Sequence, residues 1–357
     1  MTAQSTLLQQ HREFWAGRGP SLILIPAGDN TLYDLTAYPQ RFRDPQAMWE
    51  NECERARKLI DWPTDGIPTV RPNLGVVFVP AMAGQDFQLV EDSMPWPGTP
   101  LEKNAIRAAR GLELADSETM QLALQFYQLY RNTPETGVAA YHADTQGVFD
   151  IAHLLRGDQI FYDLADPDER DWVRELMDIS FELYQKATVR IKEALGETIG
   201  EMIHGHGTPQ GIFFPHAGAR VAEDTATLLS PAMIHDVILP SVQRCINAFG
   251  GVFLHYCGHH EDLFRQLVAL PGVKAVDLGN PEMYDLDTLM RWCAESNTVL
   301  YSRLPAKTNE DWRTYTKRIA AAVQAAGTRV VLRPLVFPES FEECAEMRAL
   351  WHQGTTP

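Results

Sequence analysis

The chain is predicted to fold as one (β/α)8 barrel, an α/β fold, with residues 1–357 in a single domain and residues 1–20 as an N-terminal extension. Three observations carry the prediction. Short apolar runs alternate with amphipathic helical stretches along the chain, the pattern of a parallel sheet covered on both faces. About eight such runs occur, and eight strands close a barrel. No low-complexity linker divides the sequence, so its 357 residues read as one large unit.

The elements follow in order. A polar amphipathic start leads into Ser21-Leu22-Ile23-Leu24-Ile25-Pro26, closed by Ala27-Gly28-Asp29. A helix is expected over 45–60. The next apolar run, within 69–83, carries Val76-Val77-Phe78-Val79 between Gly75 and Gly84. Met94-Pro95-Trp96-Pro97-Gly98 reads as loop, and 117–131 resumes a helical period. A short run at 139–144 precedes a helix that starts near Phe149. The longest helical pattern covers 167–195, where Asp166 can cap, Pro167 fits the first turn and Gly196 stops the helix. Met202-Ile203-His204 and Gly211-Ile212-Phe213-Phe214 are strand-like, and Ser230-Pro231 restarts a helix towards Phe249. The stretch 251–258 reads as a buried strand and its exit, with further strands at 273–278, 298–303 and 329–336. A doubly wound open sheet is the competing architecture. Its dinucleotide-binding form is disfavoured, because no G-x-G-x-x-G turn follows the first strand.

Composition narrows the function classes. A net charge of −16 and a pI near 5.1 argue against nucleic acid and against an anionic membrane surface. Five widely spread cysteines make a poor disulfide framework and suit a reducing compartment. No secretory leader and no apolar stretch of membrane-spanning length is read, so the expectation is a cytoplasmic protein.

His255-Tyr256-Cys257-Gly258 is the sharpest local signal. Residues i and i+2 of a strand point to one side, so the imidazole and the thiol can converge on a metal such as zinc. A buried small cysteine beside a hydrogen-bonded core histidine gives the same sequence. Polar residues expected near other strand exits are Asn73, Asp144, Asn280 and Arg333. Arg333 within an apolar strand needs either a carboxylate partner or an anionic ligand. His204 and His206 repeat the i, i+2 spacing, with glycines beside them. His259-His260 are expected to be mostly exposed, and Cys293 to serve packing.

Several segments together resemble the corrinoid-dependent methyltransferase branch of the uroporphyrinogen decarboxylase superfamily. They are Pro68-Thr69-Val70-Arg71-Pro72-Asn73-Leu74-Gly75, Phe149-Asp150-Ile151-Ala152 with Leu155-Arg156-Gly157, Asp163-Leu164, Leu229-Ser230-Pro231, Leu239-Pro240, Gly250-Gly251, His255-Tyr256-Cys257-Gly258 and Asp277-Leu278-Gly279-Asn280-Pro281-Glu282. The resemblance implies the barrel, with His255 and Cys257 as zinc ligands. It also implies methyl transfer between a small methylated substrate and a corrinoid (cobalamin-type) cofactor. The chain lacks a corrinoid-binding D-x-H-x-x-G motif, so the corrinoid would arrive on a partner protein.

The family's third zinc ligand is a cysteine at the end of the last strand, and here that strand has none; Cys344 falls in a helix beyond it. The substitutes are Glu223, Asp224, His204 and His206, with His216 and Glu339 as weaker candidates. Asp224 or Glu223 would be third ligand or proton donor, and His204 a further catalytic candidate. Asn73, Asp144, His206, Asn280 and Arg333 would hold the substrate. Two other readings stay open: a decarboxylase of a small acid that needs no corrinoid, and a barrel that binds without catalysing. Homodimerisation stays open as well.

Overall fold

The computed structural model of the protein describes residues 3–28, 35–91, 93–133 and 137–357. Asp29, expected to help close the first strand, lies outside them. The strands are β1 (Leu22–Ile23), β2 (Ile67–Val70), β3 (Phe87–Gln88), β4 (Trp96–Pro97), β5 (Ala139–Ala140), β6 (Met202–His204), β7 (Gln210–Phe214), β8 (Ala219–Ala222), β9 (Val252–Tyr256), β10 (Val273–Leu278), β11 (Val299–Ser302) and β12 (Val330–Leu332).

Six of these strands form one parallel sheet in the order β1-β12-β11-β10-β9-β8. Helices Leu239–Phe249, Glu261–Val268, Leu286–Ser296, Trp312–Ala326 and Phe341–Thr355 alternate with them along the chain. β2 and β5 pair parallel with each other. The architecture is therefore α/β with a parallel sheet, as the alternating runs imply. The expected ladder of eight strands is interrupted: among the described residues, no ladder joins β1 to β2 or β5 to β8. β1 and β5 are only two residues long, too short to carry one across.

Other contacts stitch these two seams. The Asp65 amide donates to the Ile23 carbonyl at 2.9 Å, which holds the entry of β2 against β1. At the second seam Arg220 of β8 pairs with Asp144 at 2.7 Å. There the helix Val148–Arg156 and the 3-10 turn Asp224–Leu228 also cap each other. Glu223 accepts from the amides of Phe149 and Asp150, and Asp150 accepts from those of Asp224 and Thr225.

One face of the six-stranded sheet packs on helices. The other face presents Leu22, Phe253, Ala275, Val299, Tyr301 and Val331, covered by Met202, Ile212 and Phe214 and by Phe14 of the N-terminal helix Ala3–Trp15. Those three covering residues belong to β6 and β7. The two strand-like runs form an antiparallel hairpin, and β7 also pairs antiparallel with β2. The next strand of the parallel sheet after the long helix Arg170–Leu195 is β8, where Arg220 interrupts the apolar run and hides it from a hydrophobicity scan. The Val76–Val79 run is likewise no strand. Phe78–Met82 is a short helix, and the strand is Ile67–Val70, ahead of the Gly75 turn (φ 65°). Periodicity cannot separate a short buried helix from a buried strand when both read as four apolar residues.

The ends of the chain meet at one carboxylate. Asp65 is fully buried and accepts from the Ile23 amide, Gln10 Nε2, Arg348 Nε and His352 Nε2 at 2.7–2.8 Å. Its carbonyl accepts from His11 Nε2 at 2.7 Å, while His11 Nδ1 accepts from the Phe213 amide at 3.0 Å. This polar hub ties the first helix, the hairpin, β1 and the last helix together.

Candidate active site

β9 and β10 lie side by side with His255 in register with Asp277, and Asp277 in register with Tyr301 of β11. Because the strands are parallel, their alternate side chains emerge on one face at one level. His255 Nδ1 lies 2.9 Å from Asp277 Oδ2. Since a carboxylate accepts, Nδ1 carries the proton and Nε2 keeps its lone pair, the tautomer that a metal-ligating histidine needs. That Nε2 lies 3.4 Å from Cys257 Sγ and 3.6 Å from Asp224 Oδ1. One donor atom from each of Asp224, His255 and Cys257 falls within 4.8 Å of the others.

These separations fit a shared ion. Ligand bonds of about 2.0–2.3 Å in a tetrahedral shell put neighbouring donors roughly 3.2–3.8 Å apart. Nitrogen, sulfur and oxygen together suit a borderline divalent metal such as zinc, and three protein ligands leave a fourth position open. Desolvation and the neighbouring charge of Asp224 push the Cys257 thiol up to about 12, so the thiolate needs a cation beside it. The Gly258 amide is tied to Asn280 Oδ1 at 2.9 Å, which fixes the turn leaving β9.

The hairpin reaches this cluster from the other side. His206 in its turn has a left-handed backbone (φ 44°), a conformation costing about 1–2 kcal/mol outside glycine. It carries the ring to within 4.1 Å of the His255 ring and Nε2 to 2.9 Å from the same Asp277 Oδ2. Burial first, then the nearby His255, holds His206 well below the usual histidine range, so it is neutral. Its Nδ1 is buried without a partner. Burial disfavours charge on Asp277, but His206 and His255 overcome that and keep it well below the carboxylate range. His206, His255 and Asp277 also converge closely enough to grip an ion. Of their 2.9 Å contacts, that of His255 is a hydrogen bond, through which Asp277 orients the His255 ring, while His206 Nε2 stands at ion-pair distance from the same oxygen.

The expected site residues divide accordingly. Asp224, His255, Cys257 and His206 come together, and Arg333 approaches from β12, with Nη1 3.8 Å from Asp277 Oδ2. Asn280 serves the β9 turn. Asp144 is paired with Arg220, and Asn73 accepts from Arg71 Nη2 at 3.2 Å, so both are held in local polar pairs. Glu223 does not reach the metal candidates: it is fully buried and both its oxygens cap the helix Val148–Arg156. Burial, and Asp150 beside it, push its carboxyl well above the usual range. His204 turns into its own hairpin, where Nδ1 accepts from the His206 amide and the ring packs on Tyr141 and Phe253. His216 borders a separate cleft with Trp15 and Arg329, and Glu339 is exposed. His259 is exposed as expected, whereas His260 caps the helix Glu261–Val268 and is half-buried. Cys293 and Cys344 are buried packing residues.

The residue that the sequence reading passed over is Asp277. A carboxylate inside Val273-Lys274-Ala275-Val276-Asp277-Leu278 is the available signal, because a buried strand tolerates a charge only where it has partners.

No protein-family model matches the chain, and no curated protein is found similar to it. Among solved structures it is similar to a methyltransferase from Methanosarcina mazei, with a TM-score of 0.65 and 14% identity, over 97% of this chain and 98% of that one. At that identity the likeness establishes a shared fold. Among the described residues, no helix is long and apolar enough to cross a membrane.

Proposed function

We propose that the protein is a methyltransferase that moves a methyl group between a small methylated substrate and a corrinoid carried on a separate protein. The observation that carries this reading is the convergence of Asp224, His255 and Cys257 where β8 and β9 end, with the His255 tautomer set by Asp277. The name of the solved structure that shares the fold supports the same class of activity. We further place the eight strands β1, β2, β5 and β8 to β12 in one closed (β/α)8 barrel of the uroporphyrinogen decarboxylase type. The site would then lie at the C-terminal ends of the strands, where barrel enzymes carry their chemistry.

Asp224, His255 and Cys257 would hold the metal, zinc by its donors. When bound, it supplies a Lewis acid that polarises the heteroatom bearing the methyl group or stabilises an acceptor thiolate. The residues around it do the rest. Asp277 fixes the His255 ring by accepting from its Nδ1, and its contact with His206 draws the hairpin turn to the site. The Asp224 carboxylate also accepts from the Cys257 amide, which sets the thiol's direction. Asn280 pins the Gly258 turn, so that the opening above Cys257 keeps its shape. Positioning of this kind is what a methyl transfer needs from the protein, since the cobalt of a corrinoid is itself the nucleophile or the methyl donor.

The test is reconstitution with a corrinoid protein, read as transfer from methoxyarenes or methylamines, or to thiols, beside elemental analysis of the purified chain. One zinc per chain that disappears in His255→Ala/Cys257→Ala, together with transfer that requires corrinoid, is the expected result. Turnover of a small acid without any corrinoid would replace this reading by the decarboxylase. Ligand binding without any turnover would leave a binding barrel.

A further inference from the structure

Arg333 leaves β12 with 8% of its surface exposed, and its guanidinium makes no hydrogen bond among the described residues. Its charge faces Asp277 at 3.8 Å, too long for a hydrogen bond, and that carboxylate already accepts from His255 and stands 2.9 Å from His206. None of its five N–H donors is engaged by the described residues, and the exposed fraction of the side chain leaves them open to a ligand. The other arginines close to the site do not share this state: Arg220 grips Asp144 and Arg71 donates to Asn73.

Beside Arg333 lies a second unspent donor. Tyr301 of β11 is fully buried, its ring centre 5.8 Å from the guanidinium, and its hydroxyl has no partner among the described residues. Two strand neighbours thus carry unused hydrogen-bonding capacity on one side of Asp277. The metal candidates stand on the other side of His255. A guanidinium fork matches a planar carboxylate through two parallel N–H···O bonds. The remaining exposure of Arg333 exceeds that of Asp277, which is 2% exposed, so the arginine lies nearer the opening.

We infer that the substrate of this site carries a carboxylate, bound by Arg333 with Tyr301 as second donor, while its reacting heteroatom faces Asp224, His255 and Cys257. This rests on the proposed metal site for the position of the reacting end, but not for the anion end. The substrate class is then a short acid with a thiol, thioether or ether at its far end.

Calorimetry on the full-length, zinc-loaded chain with 3-mercaptopropionate and 3-mercaptopropan-1-ol tests it, with butyrate as the acid that lacks a thiol. The acid is expected to bind at least about 10-fold more tightly than the alcohol, the scale of a charge-assisted hydrogen-bond pair. That ratio should collapse towards one in Arg333→Met and stay intermediate in Arg333→Lys, which keeps the charge and loses the fork. Tyr301→Phe should weaken the acid a few-fold and leave the alcohol unchanged. Equal binding of the two thiols to the unmutated protein overturns the inference, without reference to any variant's folding, and leaves the metal reading intact. Equal binding of butyrate and 3-mercaptopropionate, both dependent on Arg333, with no binding of the mercaptoalcohol, upholds the anion site while the metal reading falls. No binding of any of the three compounds overturns both.

Discussion

Two buried carboxylates, Asp65 and Asp277, organise opposite kinds of region. Asp65 is surrounded by donors that are all satisfied: an amide, an amide side chain, an arginine and a histidine, each at 2.7–2.8 Å. Asp277 draws in two histidines at hydrogen-bond distance, while Arg333 hangs back at 3.8 Å and Tyr301 and His206 Nδ1 stay unpaired. A closed hydrogen-bond account holds a fold together. An open one costs stability and keeps donors ready for something that is not part of the chain. The contrast separates the part of this protein built to last from the part built to bind.

The sharpest way to break the comparison is to damage each centre. Asp65→Ala removes the buried acceptor that the Ile23 amide, Gln10 and the half-buried Arg348 and His352 share, and should cost about 1–3 kcal/mol. Chemical denaturation should show that loss, with metal content per folded molecule unchanged. A variant that loses metal instead would dissolve the distinction.

Acid probes the same hub. Burial holds His11 down at about 4, against an ordinary 6.5, because a second proton would face the Phe213 amide. The unfolded chain therefore binds the proton first. The stabilisation is complete above pH 6.5 and is lost as pH falls towards 4, up to about 3 kcal/mol. Burial raises the pKa of Asp65, but His352 and Arg348 outweigh it and hold the carboxyl at about 2. Its share is present above pH 3.8 and is lost as pH falls through 2. Melting curves between pH 7 and 4 should show the decline, flattened in His11→Gln.

At the other centre the expected effect is on affinity. Asp277→Asn keeps the shape but weakens the hold on the His255 tautomer, and should lower zinc affinity about 10–100-fold. Competition with a chromogenic chelator measures it, and unchanged affinity would remove Asp277 from the site. The smallest effect belongs to Tyr301→Phe. The hydroxyl has no partner to lose, so the ligand-free protein should change by no more than about 0.5 kcal/mol, or gain stability. A clear loss by thermal melting would reveal a hidden partner and weaken the carboxylate reading.

The alternation of β-runs and helices from 230 onwards was legible, because each strand there is a mostly apolar stretch followed by an amphipathic helix. The pair His255 and Cys257 was legible for a local reason, a two-residue spacing on one strand. What escaped depends on distance along the chain. Asp277 is 22 residues from His255, and only the β9–β10 register joins them. The hairpin was legible only as two strand-like runs, because hydrophobicity gives no direction. Glu223 looked like a pocket carboxylate beside Asp224, and its use as a helix cap is set by a helix 74 residues earlier. Arg333 was legible as a charge in need of a partner, but that its guanidinium is left unspent is a fact of three dimensions.

The hairpin of β6 and β7 adds no strand to the six-stranded sheet, yet its turn puts His206 against Asp277. The far end of that turn is tied down, since the Pro209 carbonyl accepts from the Thr69 amide of β2 and the Thr208 carbonyl from the Tyr141 hydroxyl. Residues 205–207 are the part that can be exchanged without altering a rung of the six-stranded sheet, and each exchange would redraw one wall of the site. For directed evolution of this chain towards new substrates, those three positions are the place to put the library.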